Sequence, residues 1–186
     1  MRVAPGDDGA GSPTPPRPRP RAGSPTIRPA TTADLPAVGA IYDHAVATSV
    51  ATFDLEPRPA AYWHERLAST QPGDHLLVAE VAGQVLGYAY SSSYRPRPAY
   101  QHTRETSVYL TEGARGRGLG RLLYDDLLAR LTAAGVHTAV ALVALPNDPS
   151  EALHRATGFR HVGTMTEVGY KFGRWVDTAW YEKRLG

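Results

Sequence analysis

Residues 112–131 read EGARGRGLGRLLYDDLLARL, a glycine-rich turn that runs straight into an amphipathic helix. The first turn of a helix has N–H groups without intrahelical partners and carries the positive end of the helix dipole. Glycines just before it let an anion approach the backbone, so the stretch predicts a phosphate site. Its spacing narrows which one. Gly116, Gly118 and Gly120 run G-x-G-x-G rather than G-x-G-x-x-G, and the acidic residue that a dinucleotide fold needs about 20 positions on is missing from VHTAV. A Walker loop ends in G-K-[ST], and no lysine lies near. In the helix, Leu119, Leu122, Leu123, Leu127 and Leu131 form the expected apolar stripe, with Gly135 as the C-terminal stop.

Working outward from this loop, RETSVYL ahead of it reads as a strand. HLLVAEVAGQVLGYAYSSSY before that reads as a hairpin turning at Ala82-Gly83. TIRPA is a short first strand. Thr31 and Asp34 then offer a capping box for a helix carrying Leu35, Val38, Ile41, Tyr42, Ala45 and Val46 at helical spacing. A second helix is expected from Pro59, with Trp63 and Leu67 inward. After the glycine loop and its helix, TAVALVAL reads as a strand buried on both faces, and SEALHRATG as a short helix ended by Gly158. FRHVGTMTEVGY and RWVDTAWYEKRL read as two last strands meeting near Lys171-Phe172-Gly173. The order is β-α-α-β-β-β-α-β-α-β-β. It predicts an α+β sandwich, a mixed sheet with helices on both faces.

Composition bounds the function. The chain's 186 residues and 42% hydrophobic content suit one domain with a real core. No apolar run approaches the length of a membrane span, and the first 25 residues hold no signal-type apolar segment, so a cytoplasmic location is expected. Without cysteine there is no disulfide, no thiolate metal site and no acyl-cysteine intermediate. The pI of about 9.0 traces to residues 1–25, a Pro/Gly/Arg-rich stretch read as a disordered tail. There, four arginines against two aspartates give the net +2 of the whole chain, so residues 26–186 sum to zero. A neutral body argues against nucleic-acid binding. His64-Glu65 begins H-E-x-x-H, but Ala68 stands at the second histidine; no G-x-S-x-G elbow occurs and the histidines lack metal-ligand spacing, so no metal is expected.

The strand followed by Arg115-x-x-Gly118-x-Gly120 and a helix resembles the acyl-CoA signature Q/R-x-x-G-x-G/A of the GNAT N-acetyltransferases. ETSVYL, LPNDPSEALHRATGF, SYRPRPAY and GYKFGRWVD are similar, in order, to segments of the phosphinothricin and methionine sulfoximine acetyltransferase subfamily, from Ile27 to Arg184. The resemblance implies a GNAT fold and acetyl-CoA as co-substrate. It places the pyrophosphate on Arg115, Gly116, Arg117, Gly118, Leu119, Gly120 and Arg121. It lays the pantetheine arm along Val108, Tyr109 and Leu110, with a contact from Asn147. Glu105 matches the general base for the amine, and partial burial is expected to raise its carboxyl. His154 stands where many relatives of the fold have a thiolate-protonating tyrosine; an imidazole there serves as acid or base.

Arg95, Arg97 and Tyr100 match substrate-loop positions of the subfamily, and Phe53 matches an aromatic pocket wall. A guanidinium pair suits the carboxylate or phosphinyl oxygens of an amino-acid substrate. The subfamily typically reads YKHG-x-WHD where this chain has YKFGRWVD, so Phe172 and Val176 replace two histidines. Methionine sulfoximine or methionine sulfone is therefore as credible a substrate as phosphinothricin. The last strands resemble a dimer-forming region, implying a homodimer. Acetylation of the α-amine of a small amino-acid analogue is the first expectation; a protein or peptide acetyltransferase and a silent CoA-binding module stay open beside it.

Overall fold

The computed structural model describes residues 23–186. The expected N-terminal tail lies, apart from residues 23–25, outside the described residues. The elements are β1 (Thr26–Pro29), α1 (Leu35–Thr48), α2 (Ala60–Leu67), β2 (Leu76–Val81), β3 (Gln84–Ser93), β4 (Thr103–Leu110), α3 (Leu119–Ala133), β5 (Thr138–Ala144), α4 (Asp148–Ala156), β6 (Arg160–Lys171) and β7 (Arg174–Arg184). This is the order read from the sequence. One seven-stranded sheet runs β1-β2-β3-β4-β5-β7-β6. Every neighbouring pair is antiparallel except β4–β5.

Each face of the sheet has its own core. Val38, Ile41 and Tyr42 of α1 and Trp63 of α2 pack on Val78 and Tyr88. On the other face, α3 lays Leu123, Leu127 and Leu131 over Leu77, Ala89, Ala139 and Ala141, with Phe159 closing the end beside α4. Burying each of these large side chains contributes about 1.5–3 kcal/mol, so neither layer is held by a single contact. Thr31 and Asp34 do interact: the Asp34 carboxylate accepts from the Thr31 N–H and hydroxyl at 2.7 and 2.8 Å. A 3-10 turn over Thr32–Asp34 comes between them and α1, which begins at Leu35.

The join between β4 and β5 positions the site. Their register covers only Thr103↔Thr138, Arg104↔Ala139 and Glu105↔Val140. Beyond that point the strands part, each staying with its outer neighbour: Leu110 stays opposite Gly87 and Ala144 opposite Thr178. At the closed end, the buried Arg104 guanidinium meets Asp74 at 3.1 Å and donates to the Gln101 carbonyl at 3.0 Å.

Two expectations need correcting. TAVALVAL is not buried on both faces: Leu142 is 40% exposed, because β4 swings away and leaves one side of β5 facing a cleft. Leu122 is not part of the α3 stripe either. It is 41% exposed, and Tyr124 is wholly buried in the stripe instead. The observed stripe follows residues 119, 123, 124, 127, 128 and 131, and Leu122 sits among the exposed Arg121 and Asp125.

Candidate active site

The chain turns out of β4 through a short 3-10 turn, Glu112–Ala114, whose last residue is buried. Gly116 and Gly118 follow with φ of 72° and 78°, and Gly118 is the N-cap of α3. A side chain built on either would meet nothing within 4 Å, so these residues are required by the backbone's left-handed turns, and the space above them is open. Gly120 has a different reason: its Cβ would come 3.1 Å from Leu153 Cδ2, so its absence lets α4 close against α3. The first helical bond is Leu122 N–H to the Gly118 carbonyl at 3.2 Å. Among the described residues, the N–H groups of residues 116–121 find no acceptor. They form a cradle of donors at a positive helix end.

That cradle opens into a cavity of about 460 Å³ between the parted strands. Val108, Tyr109 and Leu110 line one wall and Leu142, Val143 and Ala144 the other. Arg115 and Arg121 reach its rim, while the exposed Arg117 does not line it, and Arg121 lies 3.5 Å from Asp125. Asn147 also lines the cavity, but its side-chain oxygen accepts the Ser150 N–H at 3.3 Å as the N-cap of α4. The inner strand edges, the donor cradle and the open space above the glycines fit an extended acyl carrier with a pyrophosphate at one end, as acetyl-CoA is built.

At the far end of the cavity stand Tyr124 and His154. His154 is 3% exposed, and its Nδ1 lies 2.7 Å from the Ser150 carbonyl, which can only accept. Nδ1 therefore carries a proton, and in the neutral ring Nε2 accepts from the Tyr124 hydroxyl at 2.9 Å. Burial lowers the His154 pKa and keeps the ring neutral. The same burial raises the Tyr124 phenol and keeps it protonated. Thr106 Oγ1, at 3.3 Å, completes the contacts of the Tyr124 hydroxyl. Sequence reasoning missed Tyr124. Its signal was a hydroxyl-bearing aromatic one helical turn beyond Gly120, on the face the glycine loop opens toward.

Glu105 points to the opposite side of the sheet. Thr106 reaches Tyr124 on the α3 face and Tyr109 packs with Tyr42 on the α1 face, so alternation puts Glu105 and Ser107 with Tyr109. Glu105 sits where β4 and β5 part, half-buried, and among the described residues it makes no salt bridge and no side-chain hydrogen bond. Burial raises its pKa, while Arg95 and Arg66 pull in the other direction. Beside it, a second groove of about 470 Å³ is lined by Tyr94, Arg95, Val140, Met165 and Trp180, and Val140 is the register partner of Glu105. The Glu105 carboxyl and the Tyr124 hydroxyl thus lie on opposite faces of one slot.

The remaining sequence-derived residues are dispersed. Arg95 stacks over Tyr94 at 4.9 Å and lines the groove. Arg97 is exposed ahead of a 3-10 turn that includes Tyr100, and Tyr100 packs edge-on against Tyr94 at 5.4 Å without lining either cavity. Phe53 lies over the backbone of Gly169, which has no room for a Cβ, and Lys171 Nζ donates to the neighbouring Thr52 carbonyl at 2.8 Å. Phe172 is 57% exposed at the β6–β7 turn and Val176 is buried; neither lines either cavity. The loss of two histidines at these positions therefore removes nothing from the walls of the slot.

Comparison with known proteins agrees with this geometry. The acetyltransferase (GNAT) domain family matches residues 27–180. A phosphinothricin N-acetyltransferase of Streptomyces coelicolor is 46% identical over 163 residues, covering 86% of this chain and 95% of the relative. An L-methionine sulfoximine/L-methionine sulfone acetyltransferase of Pseudomonas aeruginosa is 40% identical over 166 residues, covering 87% and 95%. The crystal structure of a phosphinothricin acetyltransferase from Sinorhizobium meliloti, in complex with AcCoA, superposes with a TM-score of 0.83 at 40% identity, covering 87% of this chain and 89% of that one. The chain belongs to the GNAT acetyltransferase family and is an acetyl-CoA-dependent N-acetyltransferase.

Proposed function

We propose that the protein acetylates the α-amine of a small amino acid bearing a polar, oxygen-rich side chain, of the methionine sulfoximine, methionine sulfone or phosphinothricin class. The observation that carries this reading is Glu105: a half-buried carboxylate without a bonded partner among the described residues, at the apex of the slot, with cationic side chains around it. A peptide substrate would favour an open acidic groove. The groove here is lined by Arg95 and aromatic side chains, and its one carboxylate, Glu182, is already paired with Arg160, which suits a compact anionic amino acid better. The relatives named above act on substrates of this class by their names.

In the assigned roles, the N–H groups of residues 116–121 with Arg115 and Arg121 hold the pyrophosphate, the exposed Arg117 adds only its charge nearby, Val108, Tyr109 and Leu110 offer their open edge to the pantetheine arm, and Asn147 flanks it. Acetyl-CoA supplies the activated acyl group. Glu105 takes the proton that the amine loses as the new N–C bond forms. As the C–S bond breaks, the Tyr124 hydroxyl turns its one proton from His154 Nε2 to the sulfur on the opposite face, with Thr106 Oγ1 still beside the phenol oxygen. Arg95 bounds the substrate's side of the slot, with Tyr100 packed behind it on Tyr94.

The proposal extends to assembly and place. Val168, Tyr170, Phe172 and Trp175 leave an apolar surface 48–59% exposed on the β6–β7 hairpin, the kind of patch a second copy covers. A homodimer working on the cytoplasmic acetyl-CoA pool is the expected form. The test of function is product identity. The protein is incubated with acetyl-CoA and an equimolar mixture of L-methionine sulfoximine, L-methionine sulfone, L-phosphinothricin and a short peptide with a free amino terminus. Products are read by mass spectrometry. N-acetylated amino acids with the peptide untouched support the reading; acetylated peptide alone overturns it.

A further inference from the structure

Arg66 lies in the last turn of α2 and, beyond its charge near Glu105, has no role in the chemistry above. Its guanidinium carbon stands 4.4 Å from the centre of the Tyr90 ring and 5.1 Å from that of Tyr62, and its Nη2 donates to the Tyr62 hydroxyl at 2.9 Å. Two aromatic contacts and one hydrogen bond thus fix the plane of the group before anything binds. Its Nε is buried and donates to nothing among the described residues. Arg58, over the same Tyr62 ring at 4.9 Å, is satisfied by the Asp54 carboxylate, and the buried Arg104 has Asp74. Among the described residues, Arg66 is the only arginine that is sheltered from solvent yet has no carboxylate within 4 Å. A pre-oriented, half-buried guanidinium with no anion is a site for one.

Its position says which anion. Tyr90, beneath Arg66, pairs in register with Ser107, and Glu105 is the next residue along on the same face of β4. Arg95 stands on the groove side of Glu105 and likewise has no carboxylate within 4 Å among the described residues. Two guanidiniums around one carboxylate leave a local surplus of one positive charge. An α-amino acid whose amine is neutral brings one negative charge, two bonds away from the nitrogen that must face Glu105. We propose that Arg66 receives the α-carboxylate of the substrate, which places the α-amine at Glu105 and leaves Arg95 to the oxygens of the side chain. The inference rests on the amino-acid reading of the preceding section and adds how the slot selects an amino acid over a simple amine.

The experiment measures kcat/KM for L-methionine sulfone and for its decarboxylated counterpart, 3-(methylsulfonyl)propan-1-amine, in the wild-type protein and in Arg66→Gln. The readout is the preference for the amino acid over the amine, a ratio from which any general loss of active protein cancels. A charged hydrogen-bonded contact predicts that Arg66→Gln collapses this ratio by roughly 10- to 150-fold, chiefly through the KM of the amino acid. Arg66→Lys, which keeps the charge without the planar fork, is expected to fall between and serves if the glutamine variant does not fold. An unchanged ratio in both variants overturns the inference while leaving acetyl transfer intact. A wild-type protein that acetylates the amine as well as the amino acid overturns it too. A wild-type protein that turns over neither compound removes the reading on which it rests.

Discussion

Replacing Glu105 by glutamine should separate activity from stability in opposite directions. The side chain keeps its shape but loses its charge. Glu105 is half-buried and, among the described residues, its carboxylate has no bonded partner, so ionising it costs part of its hydration without a compensating hydrogen bond. That cost is the raised pKa, with burial as its first cause and the Arg95 and Arg66 charges as a partial offset. A carboxyl raised in the folded state contributes stability below its unfolded pKa and loses it as pH rises through the folded one, so at neutral pH the wild-type protein carries the penalty. Each unit of that elevation is worth about 1.4 kcal/mol. Glu105→Gln removes the penalty, and a domain of this size gains about 2–4 °C in Tm for each kcal/mol recovered. Loss of the proposed general base should cut kcat/KM by about 10²- to 10⁴-fold. The assay is a paired one: thermal unfolding at pH 7.5, and kcat/KM from pH 5 to 9. Wild-type activity should rise with a limb centred above the ordinary carboxylate value of about 4.3, and the variant should lack that limb. A variant that is both less stable and fully active would make Glu105 an ordinary structural residue and overturn its role as base.

Three further outcomes follow from the same geometry. Gly118→Ala forces a side chain into a left-handed N-cap at φ 78°, costing about 1 kcal/mol of stability; because the new methyl enters the open space above the cradle, the KM for acetyl-CoA should rise far more than kcat falls. Tyr124→Phe leaves His154 Nε2 buried without its 2.9 Å partner; it should lower stability by about 1–3 kcal/mol and reduce kcat more than it changes the KM for acetyl-CoA, as measured by calorimetry and steady-state kinetics. Replacing Tyr170 and Trp175 together with serine should shift the proposed dimer to monomer in sedimentation velocity while leaving the far-UV circular dichroism intact, since both side chains are more than half exposed.

Element order was fully legible because each element carried its own periodicity and stops. The glycine loop, the Ala82-Gly83 turn and Gly135 are punctuation that local chemistry enforces. The shape of the cleft was not legible, because it depended on the parting of β4 and β5. That event is long-range, set where β4 leaves β5 after Glu105 while β3 and β7 keep hold of the outer edges. It explains why Leu142 faces a cleft instead of a core. Tyr124 was hidden for a related reason: a tyrosine in a leucine-rich stripe reads as packing until its hydroxyl is seen against His154. His154 itself was located by its neighbours in sequence, but its tautomer and its dependence on Tyr124 were set by a carbonyl one turn back, at Ser150. Arg66 was invisible because a basic residue at the end of a helix is ordinarily a solvated cap. Only the two tyrosine rings and the missing carboxylate distinguish it.

The most direct test is the initial rate of free-thiol release from acetyl-CoA with L-methionine sulfoximine varied at several fixed acetyl-CoA concentrations. The expected result is release that saturates in both substrates and is matched mole for mole by N-acetylated amino acid. Tight binding of CoA with no amine-dependent thiol release from methionine sulfoximine, methionine sulfone or phosphinothricin would contradict the assignment of Glu105 and its slot as a small amino-acid acetylation site.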